Sequence, residues 1–415
     1  MQGYNIWCKW HPLRTVMLGD CYHPEYFRDI KNHRIRTALE TIAAETVEDL
    51  ENFQRVFEQY GATVIRPRLN PHDSIMDMLN AHGQVKGQQG VPRSPLQPRD
   101  AQLVIGNKLY TVEPDHYAIM QELQRHDPRS DSYVNLIIGL STQPDHVKQR
   151  MRCIPSWRWM DIAKPSWGSY DDYIKPGYFD DLDPALRADV LRHHITHIPA
   201  IDAASFTLVG RDLYIDYMDG LGRQHQPLDQ MQLDLINQHA DLRINGLSIG
   251  GHNDGCFHTL KPGAILSLHD IQDYADTFPG WDVCFLENQS WEKMDGFLKM
   301  KRKVNGKWWV PGEEENDELT HFVETWLQDW VGYAEESVFD VNVLMLDENH
   351  VCVSNYNETA FKFFKKHKIE PIIVPWRHRY FWDGGLHCIT LDLYREGEQE
   401  DYFPDRHGPV FDRGL

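Results

Sequence analysis

"VNVLMLDENHVCVSNYNETAFKFFKKHKIEPIIVP", residues 341–375, contains one complete unit of alternating structure. Two apolar runs flank Asp347-Glu348-Asn349, a set of residues suited to a tight reversal between two strands. The stretch "ETAFKFFKKHK" (358–368) follows with helical periodicity, and "EPIIVP" (370–375) closes the unit as a short strand. Strand, turn, strand, helix and strand thus occupy 35 residues or fewer, a span read directly from the sequence.

The same order recurs on either side. In "AQLVIGNKLYTV" (101–112) the turn is Gly106-Asn107, and "DHYAIMQELQRH" (115–126) is the helix after it. In "SFTLVGRDLYIDY" (205–217) the turn falls at Gly210-Arg211-Asp212, and "PLDQMQLDLINQHA" (227–240) is the following helix. Near the start, a helix over about 36–59 carries Leu39, Ile42, Ala43, Leu50, Phe53 and Phe57 on one stripe. Gly61 ends it, and "ATVIRP" (62–67) reads as a strand. Repeated element order predicts a pseudo-symmetric α/β architecture, although an ordinary doubly wound sheet has the same periodicity. No Pro/Ser-rich linker divides the chain, so residues 1–415 are expected to form a single domain. The Gly/Gln/Pro-rich stretch 81–100 reads as a long loop, of the kind that usually serves function.

The 42 Lys and Arg residues against 62 Asp and Glu leave a net charge of -20, which disfavours nucleic acid and anionic membranes as partners. One basic run stands out, "KMKRKVNGKWW" (299–309). Its Asn305-Gly306 pair predicts the turn of a solvated hairpin. The seven cysteines are dispersed without CxxC spacing, giving neither a disulfide framework nor a zinc pattern and suiting a reducing compartment. No signal-like segment or membrane-length apolar run is present, so a cytoplasmic location is expected. "HHITH" puts His193 and His197 four residues apart, but it lacks the HExxH glutamate and a third ligand, so no metal is assigned. Trp281, Trp291, Trp308, Trp309, Trp326 and Trp330 are expected to pack in a core or an oligomer contact.

Four stretches hold polar residues where a core would not choose them. They contain Asp100, Asp202, the pair His252 and Asp254, and Cys388, the last in "FWDGGLHCITLD" (381–392). The acidic and histidine residues each lie just before an apolar strand-like run, although an aspartate there is also a common turn residue. Together they have the parts of a nucleophilic site. A cysteine needs a base or cationic neighbour to become a thiolate, and His252 would serve. An imidazole needs a carboxylate to orient it, and Asp202 would serve. Asp100 and Asp254 suit a planar cation with paired N–H donors, a guanidinium. On a strand, His252 and Asp254 would share a face.

These segments resemble a known family. "DAASFTLVGRDLYI", "GHNDGCFHTLKPGAILS", "VNVLMLDENHVCVSNYNE" and "DGGLHCITLDLYREG" are similar to motifs of the glycine (arginine:glycine) amidinotransferases. "WHPLRTVMLGD" (10–20) and "PRDAQLVIGNKL" extend the likeness over residues 10–397 or so. These enzymes belong to the guanidino-modifying, or pentein, superfamily. The resemblance implies a pentein fold, a five-bladed pseudo-fivefold α/β propeller of ββαβ-type modules with the site in a central cleft. It also implies transfer of an amidino group from a guanidino donor, arginine or a relative, to an amine acceptor. Cys388 then matches the nucleophile, His252 the general acid/base and Asp202 its carboxylate partner, while Asp100 and Asp254 match the guanidinium clamp. Gly384 and Gly385 are expected to let the backbone bend so that Cys388 reaches the cleft floor.

No cofactor is implied, because the guanidinium carries its own electrophilic carbon. A small-molecule donor and acceptor are the implied partners, and a homodimer is allowed. A guanidino hydrolase is the alternative chemistry, and a non-catalytic protein of the same fold is the alternative class.

The departures bear on specificity. Ile271, in "LSLHDI", stands where the family has an arginine for the substrate carboxylate, and "DAAS" stands for "DAAD". Asp383 stands five residues before the nucleophile, where deiminases have an arginine, and is expected to face the substrate. Arg377 or Arg379 is the alternative partner for a substrate carboxylate.

Overall fold

The computed structural model describes residues 3–76, 91, 93–111, 117–126, 203–216, 241–247, 249, 252–268, 274–286, 294–332 and 340–407. The helix at 227–240, Asp202, Ile271, His193, His197 and Trp291 lie outside the described residues, as does much of the 81–100 loop.

The described strands form five small sheets rather than one continuous sheet. The module at 341–375 takes the expected form: β11 (Leu344–Asp347) and β12 (His350–Val353) are antiparallel, and β13 (Glu370–Ile373) runs parallel to β12. Two other internal sheets repeat that rule. β5 (Phe206–Val209), β6 (Asp212–Asp216) and β7 (Arg243–Leu247) form one. β8 (Phe257–Lys261), β9 (Ala264–Ser267) and β10 (Asp282–Phe285) form the other. β3 (Gln102–Ile105) and β4 (Lys108–Thr111) are a hairpin that turns at Gly106, with α2 (Tyr117–His126) after it.

Both ends of the chain build the fifth sheet. β14 (Thr390–Arg395) pairs antiparallel with β1 (Leu13–Leu18), α1 (His33–Gln59) follows, and β2 (Thr63–Ile65) lies parallel to β1. Each three-stranded sheet is therefore an antiparallel pair plus a parallel third strand, the strand order expected from the repeated units. The doubly wound alternative does not hold, since its strands would share one hydrogen-bonded sheet.

The stripe along α1 is buried as read, from Leu39 through Phe57, and Asn32 caps the helix with its side-chain oxygen on the Arg34 and Ile35 amides. α1 packs in the largest apolar cluster with α3 (Asp295–Val304) and α4 (Asp317–Trp326). α5 (Glu358–Lys366) buries Ala360, Phe363 and Phe364 in the cluster under the 341–375 module.

The basic run 299–309 is not a hairpin. Its first part completes α3, in which Phe297, Met300 and Val304 form a buried stripe. Asn305 then adopts φ 55° as the left-handed residue that ends the helix. An Asn-Gly pair serves a helix end as readily as a two-residue turn, because both need positive φ. Trp308 and Trp309 beyond it are core residues, with Trp308 donating its indole N–H to Glu324 at 2.7 Å. Trp330 is buried as expected, whereas Trp326 is 36 % exposed.

Candidate active site

Each sheet begins in the same way. A turn of backbone precedes the first strand of each hairpin, and these turns carry the candidate residues. Asp100 lies in a helical turn, Pro98–Ala101, immediately before β3. A 3-10 turn, Ala203–Ser205, precedes β5, and Asp202 lies just beyond its described start. Asn253–Cys256 is a helical turn before β8, with His252 as its extended N-cap residue and Asp254 inside it. His252 and Asp254 are thus not on a strand, and the shared-face expectation fails. Asp254 is 2 % exposed while His252 is half-buried. Cys388 occupies the turn before β14.

The structure brings Cys388 and Asp254 together at the base of these turns. The Cys388 Sγ is 3.8 Å from Asp254 Oδ2, and Cys388 is only 8 % exposed. The fourth turn supplies a residue that the sequence reading missed. Asn342, just before β11, donates its amide to Cys388 Sγ at 3.1 Å and to the Asp254 carbonyl at 3.2 Å. Its Oδ1 accepts the His387 backbone N–H at 2.8 Å. Asn342 holds the same pre-strand place as the residues singled out in the other modules, but an asparagine there is also an ordinary turn residue.

His387 was likewise unassigned. Its Nδ1 lies 2.7 Å from Asp254 Oδ2, buried on all sides. Burial, with Arg99 and Lys9 nearby, holds its pKa well below the usual imidazole range. The ring is therefore neutral, and Nδ1–H donates to the carboxylate. Asp254 Oδ1 is buried and makes no hydrogen bond among the described residues. Lys9 sits behind the site, fully enclosed, and burial lowers its pKa to about 8. Its Nζ makes no hydrogen bond among the described residues. It shares a cavity of about 50 Å³ with Arg99, His387 and Asp392.

The Cys388 loop is braced at both ends from the first module. Gln97 donates to the Trp382 carbonyl at 2.6 Å and to the Asp383 carbonyl. Arg99 Nε donates to the carbonyls of His387 and Thr390 at 2.8 Å each, and its Nη2 pairs with Asp392 at 2.9 Å. Because Asp100 follows Arg99 directly, these bonds fix its turn against the nucleophile's loop.

Gly384 and Gly385 need no left-handed backbone. Neither adopts positive φ; the left-handed residue here is Asp383, with φ 51°. The glycines instead allow close approach. A Cβ on Gly385 would lie 2.5 Å from Asn342 Cγ, and one on Gly384 would lie 2.7 Å from Gln97 Nε2.

Asp383 ends the helical turn Arg379–Trp382 and is half-buried, its carboxylate against the Cα of Gly332. The two arginines considered for a substrate carboxylate are engaged elsewhere. Arg377 binds Asp49, Glu48 and the Glu45 carbonyl of α1. Arg379 is buried, bonded to the Trp376 carbonyl and the Tyr380 hydroxyl.

Cys388 is held as a thiol in this state. Burial, followed by the charges of Asp254 and Asp100, pushes its pKa well above the usual thiol range, which the Gly385 and Asn342 hydrogen bonds only partly offset. Among the described residues no group of three or more His, Cys, Asp or Glu is placed to hold a metal ion.

No family model matches the chain. Curated relatives do. The chain is 27 % identical over 426 residues to the mitochondrial glycine amidinotransferase of Gallus gallus, covering 97 % of this chain and 84 % of that protein. It is 24 % identical over 253 residues to the L-arginine:L-lysine amidinotransferase of Pseudomonas savastanoi pv. phaseolicola, covering 59 % of this chain and 57 % of that protein. Among solved structures, the inosamine-phosphate amidinotransferase of Streptomyces griseus superposes with a TM-score of 0.52 at 15 % identity, over 97 % of this chain and 99 % of that one. The chain is thus similar over nearly its whole length to curated amidinotransferases. A Microseira wollei amidinotransferase of saxitoxin biosynthesis has the same fold, with a TM-score of 0.51 at 17 % identity, over 96 % of this chain and 99 % of that one. The four three-stranded sheets and the β3–β4 hairpin are thus those of the pentein fold. Among the described residues, no helix is long and apolar enough to cross a membrane.

Proposed function

We propose that this enzyme transfers an amidino group from a guanidino donor to an amine acceptor through an amidino-cysteine at Cys388. The observation that carries the reading is the charge around the thiol. Asp254 at 3.8 Å and the nearby Asp100 make the thiolate unfavourable in the free protein. A neutral ester or amide would leave that penalty in place. A guanidinium set between the carboxylates cancels it, so the site favours a cationic electrophile.

The steps follow from this placement. Asp100 and Asp254 hold the guanidinium with its central carbon over Sγ. His252, oriented by Asp202, takes the thiol proton, and the thiolate attacks the central carbon. The tetrahedral adduct collapses with cleavage of the C–N bond to the departing amine, which takes that proton from His252. A neutral acceptor amine attacks the amidino-cysteine carbon, His252 removes its proton, and the C–S bond breaks to restore the thiolate. The Asn342 amide, 3.1 Å from Sγ, stabilises sulfur when it is anionic.

The donor or the acceptor is inferred to differ from the arginine and glycine pair. Ile271 replaces the family's carboxylate-binding arginine, Arg377 and Arg379 are held by other partners, and Asp383 repels a carboxylate while attracting an ammonium. An amine-bearing or larger partner suits this lining better. The working location is the cytoplasm, in keeping with the dispersed free cysteines.

Two experiments test the reading. Labelled arginine or agmatine, incubated with a panel of amines and followed by mass spectrometry, should pass label to an amine; label recovered only in a hydrolysis product would make the enzyme a hydrolase. Comparing arginine, agmatine and glycine-type acceptors on wild type and on Asp383→Asn tests specificity. Efficient arginine-to-glycine transfer, unchanged by the substitution, would remove the specificity claim and leave the reaction class standing.

A further inference from the structure

Arg93 sets a guanidinium of the protein itself on Asp100. Its Nη2 lies 3.1 Å from Asp100 Oδ2, and its Nη1 donates to Gln97 Oε1 at 2.7 Å. Gln97 is in turn fixed to the backbone of Trp382 and Asp383. The Arg93 guanidinium is therefore docked on a fixed polar platform beside the nucleophile's loop. The Arg93 side chain is 36 % exposed and that of Asp100 18 %, so the pair is partly open to solvent. A guanidino donor would offer Asp100 the same planar charged group.

We propose that Arg93 is a specificity-determining residue: an intramolecular occupant of the guanidinium subsite that a donor has to displace from Asp100. This rests on the reading of Asp100 as a guanidinium-binding carboxylate. A partly exposed ion pair is weak enough to exchange with a ligand. The donor's apparent affinity is lowered by the fraction of time that Asp100 is engaged. Arg93 thus raises KM for every guanidino donor without entering the chemical step. Neutral urea-like compounds cannot displace it, because they offer Asp100 no charge in exchange.

The test uses the full chain carrying Cys388→Ala, so that ligands bind without turnover. Titration calorimetry with agmatine and with arginine compares this chain with the same chain carrying Arg93→Met or Asp100→Asn. Arg93→Met should bind both probes about three- to tenfold tighter, the gain expected when a competing internal ligand is removed. With Cys388 restored, Arg93→Met should lower the donor KM by the same factor and leave kcat unchanged. Equal or weaker binding by Arg93→Met, together with loss of binding in Asp100→Asn, would overturn the inference and leave the site reading intact. Asp100→Asn binding as tightly as the parent chain would instead remove the site reading, and the inference with it.

Discussion

The Sγ of Cys388 and the Oδ2 of Asp254 lie 3.8 Å apart, and that same oxygen receives the Nδ1–H of neutral His387 at 2.7 Å. The nucleophile therefore rests against an anion that is held in place from behind. In the free protein the thiol should resist iodoacetamide until the pH exceeds the ordinary thiol range. Asp254→Asn removes the nearest opposing charge and should move the rise in alkylation rate down by about one to two pH units. Guanidino turnover should fall in the same variant. A free enzyme whose Cys388 titrates below the ordinary range would contradict this placement of charge.

The clamp itself is tested by Asp100→Asn and Asp254→Asn. Each loses a charge-assisted hydrogen bond to the guanidinium, a change of about 1.5–3 kcal/mol in transition-state stabilisation. Steady-state kinetics should show kcat/KM falling accordingly with every guanidino donor. Wild-type kinetics in both variants would show that the two carboxylates do not hold the substrate.

Asn342 connects three parts of the site: Cys388 Sγ, the Asp254 carbonyl and the His387 amide. Asn342→Ala leaves the buried His387 N–H without its partner, costing about 1–3 kcal/mol of stability. It also removes the N–H donor to sulfur, so kcat should fall by about ten- to a hundredfold. Gly385→Ala should imitate the effect by pushing Asn342 aside, since the new Cβ would lie 2.5 Å from its Cγ. Thermal denaturation and single-turnover kinetics on the two variants should change together.

The helix end at Asn305 yields a prediction about stability. With φ 55° it already occupies the left-handed region, so Asn305→Gly should be neutral or slightly stabilising. Asn305→Val should cost about 1–2 kcal/mol, the penalty of that region for a residue with a branched Cβ. Equal denaturation midpoints for the two variants would contradict the assigned cap.

What the sequence made legible follows from local chemistry. The 341–375 module was readable because its turn residues, helix stripe and strands all favour the same local structure, and α1 because its apolar residues keep helical spacing over 27 residues. Asp254 and Cys388 stood out as reactive groups bordering apolar strands. Asn342 did not, since an asparagine before a strand is an ordinary turn residue, and its role exists only once the modules meet. The 299–309 run was misread because positive φ at Asn305 ends a helix or turns a hairpin equally well, and only the buried stripe of α3 decides between them. At Gly384 and Gly385 side chains from distant modules approach closely, and no local pattern records that. The Arg93–Asp100 pair depends on loop placement and leaves no periodic signal.

The most direct measurement is a rapid acid quench of wild-type enzyme mixed with donor alone, followed by peptide mass spectrometry. The expected result is an amidino adduct on the peptide containing Cys388, absent from Cys388→Ala, which should be folded and lack turnover by several orders of magnitude. An adduct on Cys256 instead, or full turnover by Cys388→Ala, would contradict covalent catalysis at Cys388.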